Sequence, residues 1–398
     1  MTAGVTIGTI PMSIQHAAIV GAGVAGLTAA LSLARKGISS DVIEQAPQLG
    51  EVGAGLQLSP NATRVLDSLG VLGELERHWY EPRAISLVSG RELRHLAEVP
   101  AGDFARRRWG HPYGVLHRST LQQGLMRAVL NQPLCQLHLG HRVHGIGADA
   151  LTSIIGRKPD LVIGADGAWS VARDAVPSSP TVSFSGNIAW RFTISRDAAP
   201  ACLSRNGVTA YLGAKAHLVS YPLKEIDGFN LVAIAAGTRS DENWAIDADA
   251  ARRAMLLDQF SGWHRDIRTI LAGAEKPTFW PLYQASDGNW HNGRDTVLIG
   301  DAAHAMMPFS AQGAAMAIED AFSLASHVAR SPLPSALAAF STERKARTAR
   351  VKSRGDFNRF AYHARGPFRI GRDIVLSLRP AEKLAADLDW LYGHRIGD

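Results

Sequence analysis

Along much of the chain, short apolar runs bounded by glycine alternate with longer stretches apolar at helical spacing. His16–Val20 (HAAIV) reads as a buried strand. It is followed by Gly21-Ala22-Gly23-Val24-Ala25-Gly26 and then by LTAALSLARKG, a helix with Gly37 as its C-cap. Ser40–Glu44 predicts a second strand ending in an acid. Far downstream, Asp160–Gly164 and Asp295–Gly300 are two more buried strands, each running into a turn, and Ala311-Gln312-Gly313-Ala314 opens another helix. Between them, Ile188–Ile194, Ala216–Pro222 and Phe229–Ile234 are short and alternating, which predicts strands of one sheet. Side chains in a strand alternate, so His217, Val219 and Tyr221 fall on one face.

The order strand, glycine turn, helix, strand, acid is that of a Rossmann dinucleotide site. Gly21 makes the tight turn, Gly23 lets the backbone approach a pyrophosphate, and Gly26 lets the helix lie close on the sheet; with Ala25 they are the candidate nucleotide contacts. The phosphates belong at the helix N-terminus, where unpaired N–H groups and the dipole favour negative charge. Glu44 is placed to accept hydrogen bonds from ribose hydroxyls, and its charge disfavours a phosphorylated ribose in this site. A second match, Gly145-Ile-Gly147-Ala-Asp-Ala150, lacks this context and is expected to be a turn. These residues leave NAD and FAD both open.

Composition narrows the class. With 398 residues, 46% of them hydrophobic, the chain can bury a substantial core. Two cysteines, Cys135 and Cys202, support neither a disulfide framework nor a Cys-rich metal site, so a cytoplasmic location is expected. The N-terminus carries no basic residue before its apolar stretch and reads as a loose extension, with Met12 as an alternative start. The uncharged run at 17–34 is long enough to suggest a membrane span, but its glycines divide it into a strand and a helix. The net charge of +6 is concentrated in a segment containing Arg344, Lys345, Arg347, Arg350, Lys352, Arg354 and Arg359. Without aromatic interleaving or a nucleic-acid motif, that segment reads as a solvated helix face rather than a polyanion site. No His-Glu-x-x-His or comparable spacing supports a metal, and no Cys-x-x-Cys supports a disulfide reductase.

Taken together, GAGVAG at 21–26, GADG at 164–167 and GDAAH at 300–304 followed by AQGAAMAIEDA at 311–321 resemble the single-component FAD-dependent aromatic hydroxylases. The resemblance runs from about Gln15 to Arg350. It implies FAD as bound cofactor, NADH or NADPH as a transient reductant, and O2 activated as a flavin hydroperoxide. It also implies that Asp301 binds the ribityl chain and that Gly313 and Ala314 open a helix facing the flavin pyrimidine. By the same resemblance Arg118 reaches the FAD phosphates, Asp166 is shared between FAD and the nicotinamide nucleotide, and Gly55, in the segment 53–61, passes beside the flavin ring.

The resemblance implies an α/β fold: a Rossmann-like FAD-binding domain from 13–75, 112–180 and 276–335, interleaved with a mixed-sheet substrate domain from 76–111 and 181–275, and a C-terminal helical extension from 336–398. The substrate lies where the domains meet. His217 is expected to deprotonate or orient a substrate hydroxyl, as an imidazole of unperturbed, near-neutral pKa, and Tyr221 to bind the ring or its carboxylate. Arg191 matches a substrate carboxylate if it faces inward; Gln57 and Pro308 are further candidates, and His304 is read as structural. The expected activity is hydroxylation of a small hydroxylated aromatic acid. A heteroaromatic or polycyclic substrate, or a non-catalytic flavin redox sensor, are the alternatives. Neither nucleic acid nor membrane is expected as a partner, and a homodimer is left open.

Overall fold

The computed structural model describes residues 14–50, 55–237, 246–247, 250–275 and 277–397. The segment up to residue 13, which includes Met12, and Gly53 and Ala54 lie outside these.

Five parallel strands form the first sheet, in the order Thr296–Leu298, Leu161–Gly164, His16–Val20, Ser39–Glu44, Cys135–Leu139. All are short, and the three on one side of the sheet, Thr296–Leu298, Leu161–Gly164 and His16–Val20, are the most apolar and are buried throughout. His16–Val20 is central and has neighbours on both sides, so the chain reverses its winding there and a crevice opens at the carboxyl ends of the strands. The helix Val24–Ala34 is buried along its whole length. It packs against Gly313–Val328, and the supposed membrane run thus resolves into a core strand and a core helix. Beyond the helix, Gly37 adopts φ +78°, the left-handed geometry of a C-terminal stop. No helix among the described residues is long and apolar enough to cross a membrane.

The eight-stranded second sheet runs Ile246–Asp247, Thr278–Ala285, Val182–Ser195, Gly228–Ala236, Ala216–Leu223, Val208–Gly213, Ala84–Ser89, His95–Pro100. It is antiparallel except where Val208–Gly213 meets Ala84–Ser89. Thr278–Ala285, grouped by sequence with the nucleotide half, pairs here with the long strand Val182–Ser195. Parity divides the sheet. Trp190, Phe192, Leu218, Phe229 and Leu231 point to one side and close a separate core with Ile267 and Leu271 of the helix Arg265–Ala272. Their neighbours one residue along point to the other side, toward the nucleotide half.

A two-stranded ribbon, Gly55–Leu58 with Gly114–His117, bridges the halves. The thirty-residue helix Leu333–Tyr362 and the helix Pro367–Leu378 complete the chain's C-terminal part. One sequence expectation fails here: after Gly147 the chain forms the helix Ala148–Ile155 rather than only a turn. Gly156 at φ +74° ends it after two turns. With no strand leading directly into Gly145, the second glycine match still lacks the strand-turn-helix layout of a phosphate site.

Candidate active site

Three motifs converge at the crevice. Gly21, at φ +104°, lies so close to the carbonyl of Ala165 that a Cβ there would sit 2.5 Å from its oxygen. A Cβ on Gly26 would be 1.9 Å from the Gly21 oxygen, so only glycine lets the helix start this near the turn. Around a Cβ on Gly23, by contrast, nothing lies within 4 Å. Two glycines are dictated by the protein's own packing and the third by open space over a helix N-terminus. Ala25 is buried and faces Gly300, whose own added Cβ would be 3.1 Å from the Ala25 Cβ. Glu44 secures the turn: its Oε2 accepts from the Ala22 N–H at 2.9 Å and its Oε1 from the Ala46 N–H at 2.9 Å. Each oxygen retains a further lone pair for a ribose hydroxyl. Gln122 adds a clamp that sequence did not single out, donating to the Ala22 carbonyl at 3.1 Å.

In the second motif, Asp166 Oδ2 accepts from the Val171 and Ala172 N–H groups at 2.7 and 3.1 Å, while its Oδ1 is buried without a partner among the described residues. Arg173 ties this motif to the third by donating to the carbonyls of Ala168, Asp301 and Ala302. Gly300 turns at φ +59° between the two core helices, and Asp301 directly after it is exposed. A Cβ on Gly313 would meet nothing within 4 Å; with Ala314 it opens the helix Gly313–Val328. Arg118 begins the helix Arg118–Leu130 and is exposed. Two open helix N-termini, an exposed carboxylate and an orphaned buried carboxylate oxygen fit a dinucleotide with a diphosphate, a polyol chain and a ring that carries negative charge when reduced.

That second helix is anchored by charge. Arg344, 0% exposed, donates from Nη1 to Glu319 at 2.7 Å and from Nε to Asp320 at 2.8 Å. Arg347 donates to both oxygens of Glu319, and Asn61 Nδ2 donates to Glu319 Oε1 at 2.7 Å. Burial alone would raise both carboxyls, but Arg344 and Arg347 hold Glu319 at about 2, and His304 and Arg344 hold Asp320 at about 2. The basic segment is therefore only partly a solvated face: the residues three apart that turn inward are ion-paired in the core. His304, bonded to Asp320 and 5.1 Å from the Trp290 ring centroid, is structural.

Across the crevice, strand register assembles the other wall. His217 pairs with Ile234, Val219 with Val232 and Tyr221 with Asn230; Val232 in turn pairs with Arg191. Directly opposed residues share a face, so Arg191 lies on the side of His217 and Tyr221. Its guanidinium sits 5.0 Å from the Trp280 ring centroid. Tyr221 abuts Gly55, where a Cβ would meet its ring at 2.6 Å, and burial pushes its hydroxyl pKa up. Asn230, 1% exposed, accepts from the Gly55 N–H at 2.9 Å and leaves Nδ2 without a partner among the described residues. Sequence did not single it out, because only cross-strand pairing puts it beside Tyr221. Gln57 Oε1 accepts from the Tyr113 hydroxyl at 2.6 Å. Pro308 begins the turn Pro308–Ser310, whose Phe309 ring lies 5.2 Å from that of His217.

His217 itself requires a correction. It is 1% exposed, and burial, then His363, push its pKa well below the usual imidazole value. The expectation of an unperturbed base overlooked the C-terminal helix that covers it. A neutral ring results, able to accept a hydrogen bond throughout the neutral range.

Residues 15–354 match the FAD binding domain family. The chain is 35% identical over 389 residues to 3-hydroxybenzoate 6-hydroxylase 1 of Aquipseudomonas alcaligenes, covering 94% of this chain and 96% of the relative. It is 34% identical over 402 residues to 3-hydroxybenzoate 6-hydroxylase of Klebsiella oxytoca, covering 96% and 97%. In fold it is similar to HpxO of Klebsiella pneumoniae solved with FAD and uric acid, at a TM-score of 0.79 and 22% identity over 94% of this chain and 95% of that one. The chain belongs to the FAD-dependent aromatic hydroxylases, enzymes of the FAD binding domain family.

Proposed function

We propose that this enzyme hydroxylates a small aromatic acid that already carries a ring hydroxyl, using NADH or NADPH as reductant and O2 as oxygen donor. The observation that carries the reading is the inner face of the second sheet, where Arg191, His217, Tyr221 and Asn230 lie on adjacent rungs. FAD, held by the glycine turn, Glu44, Asp166, Asp301 and the Gly313 helix N-terminus, supplies the electron transfer and oxygen activation when bound. The protein's own groups handle the substrate. The Arg191 guanidinium pairs with the carboxylate, and its stacking on Trp280 limits its freedom before binding. Tyr221 and the Asn230 Nδ2, which has no partner among the described residues, supply hydroxyl and N–H groups toward the ring substituents.

His217, neutral and shielded from water, accepts the hydrogen bond of the substrate hydroxyl and takes its proton as the oxygen becomes anionic. A phenolate oxygen beside the ring raises the imidazole's proton affinity, which offsets the burial that lowers it. An electron-rich phenolate carbon is the better nucleophile toward activated oxygen.

The test is to measure NADH and NADPH oxidation by the FAD-loaded protein against 3-hydroxybenzoate, salicylate and hydroxynicotinates, with mass spectrometry for a product heavier by one oxygen. A carboxylated phenol should stimulate oxidation and yield product. If only uncharged or polycyclic aromatics do so, the Arg191 assignment is wrong. His217→Ala should slow product formation by about a hundredfold or more with FAD still bound. Arg191→Met should raise KM for the acid about tenfold or more with a smaller change in kcat.

A further inference from the structure

The C-terminal part of the chain brings a second imidazole to His217. His363, immediately after the helix Leu333–Tyr362, sets its Nε2 2.9 Å from His217 Nδ1, with ring centroids 5.1 Å apart. Phe309 packs on both rings, at 5.2 Å from His217 and 5.4 Å from His363, and Tyr362 lies 5.4 Å from His217. The same helix fixes Phe309, because Asn358 Nδ2 donates to the Phe309 carbonyl at 3.0 Å. Lys215, two residues before His217, donates its N–H to the His363 carbonyl at 3.3 Å. The contact is thus held from the sheet, from the turn before the Gly313 helix and from the C-terminal helix.

Two imidazole nitrogens at this distance attract only if one carries a hydrogen and the other does not. The pairing therefore selects tautomers. If His217 Nδ1–H donates, His217 Nε2 is left as the basic nitrogen; if His363 donates, His217 Nε2 carries hydrogen and is no base. We propose that His363 is a positioning residue for hydroxylation: it accepts from His217 Nδ1–H and so presents His217 Nε2, unprotonated, to the substrate hydroxyl. This rests on the role proposed above for His217. When the substrate proton moves to Nε2 and leaves the oxygen anionic, the resulting imidazolium donates more strongly from Nδ1 to His363. The C-terminal part of the chain then orients the base as well as covering it.

The experiment uses the full-length FAD-loaded protein and its His363→Phe, His363→Gln and His217→Ala variants, with 3-hydroxybenzoate as probe. It measures bound FAD, kcat, KM and the ratio of hydroxylated product to NAD(P)H consumed. Histidine ring 15N NMR supplies a readout independent of turnover. His217 should appear as the Nδ1–H tautomer in the native protein and lose that preference in His363→Phe. Product formation should fall about tenfold or more in His363→Phe, chiefly in kcat, and return toward native in His363→Gln, whose amide oxygen can accept from Nδ1–H. A slow His217→Ala with a fully active His363→Phe would overturn the inference while leaving the role of His217 intact. Slow His363→Phe and His363→Gln alike would reduce His363 to packing, which also overturns it. An unimpaired His217→Ala would remove the reading on which both depend.

Discussion

Gly23 and Gly26 lie three residues apart in one turn, yet different neighbours require them to be glycine. At Gly26 a methyl group would strike the Gly21 carbonyl, whereas at Gly23 it would enter open space. Gly26→Ala should therefore destabilise the protein itself, by roughly 1–3 kcal/mol as for other overpacked sites, in addition to impairing FAD retention. Gly23→Ala should leave the thermal midpoint of the apoprotein nearly unchanged and weaken FAD binding alone. Thermal melts of apoprotein together with flavin absorbance after gel filtration separate the two outcomes. Equal destabilisation of both apoproteins would contradict the assignment of Gly23 to the cofactor.

At the scale of elements, the helix Gly313–Val328 joins nucleotide half, substrate wall and C-terminal helix. Its N-terminus opens the cofactor crevice, and the turn just before it carries Phe309 against His217. Two turns further along, Glu319 and Asp320 bind Arg344. Removing Arg344 leaves two buried carboxylates with much of their compensation gone, and breaking a buried pair from one side typically costs about 3–5 kcal/mol. Arg344→Met should show this loss in chemical denaturation, and FAD affinity should fall with it because the same helix presents Gly313. Triple replacement of Glu319, Asp320 and Arg344 by apolar residues of similar size should be milder than the single change. A neutral Arg344→Met would show that the network contributes nothing to holding the helix.

For the whole molecule, the buried groups set an acid limit to stability in two stages. His217 and His363 have pKa values lowered from 6.5, the latter to about 4, chiefly by burial. A lowered folded value means that the contribution of His363 is present above about 6.5 and is lost as the pH falls through about 4, and that of His217 is lost in the same direction. Glu319 and Asp320, held at about 2, add stability that is present above the ordinary carboxylate range and lost as the pH falls through about 2. The thermal midpoint should begin to fall below about pH 6.5, before the carboxylates titrate. Replacing His363 by Gln should flatten that first stage. A midpoint constant from pH 7 to 5 in the native protein would show that the imidazoles are not buried as neutral groups.

The nucleotide half was legible because each of its signals is local. Strand, turn and helix follow one another within thirty residues, and at Gly26 the demand for glycine comes from the Gly21 carbonyl in the same turn. The substrate wall was half legible: period two put His217 and Tyr221 on one face, but whether Arg191 joined them depended on the register of three strands, and Asn230 carried no sequence signal at all. The basic segment was misread for a related reason. A row of arginines on a helix looks solvated until the partners of the inward-facing ones, 24 and 28 residues earlier, are brought against them. His363 lies 146 residues from His217, in a region where the sequence shows only a helix. Periodicity and turn chemistry belong to neighbouring residues and can be read along the chain; ion pairing, tautomer choice and imidazole basicity belong to groups that only tertiary packing brings together and removes from water.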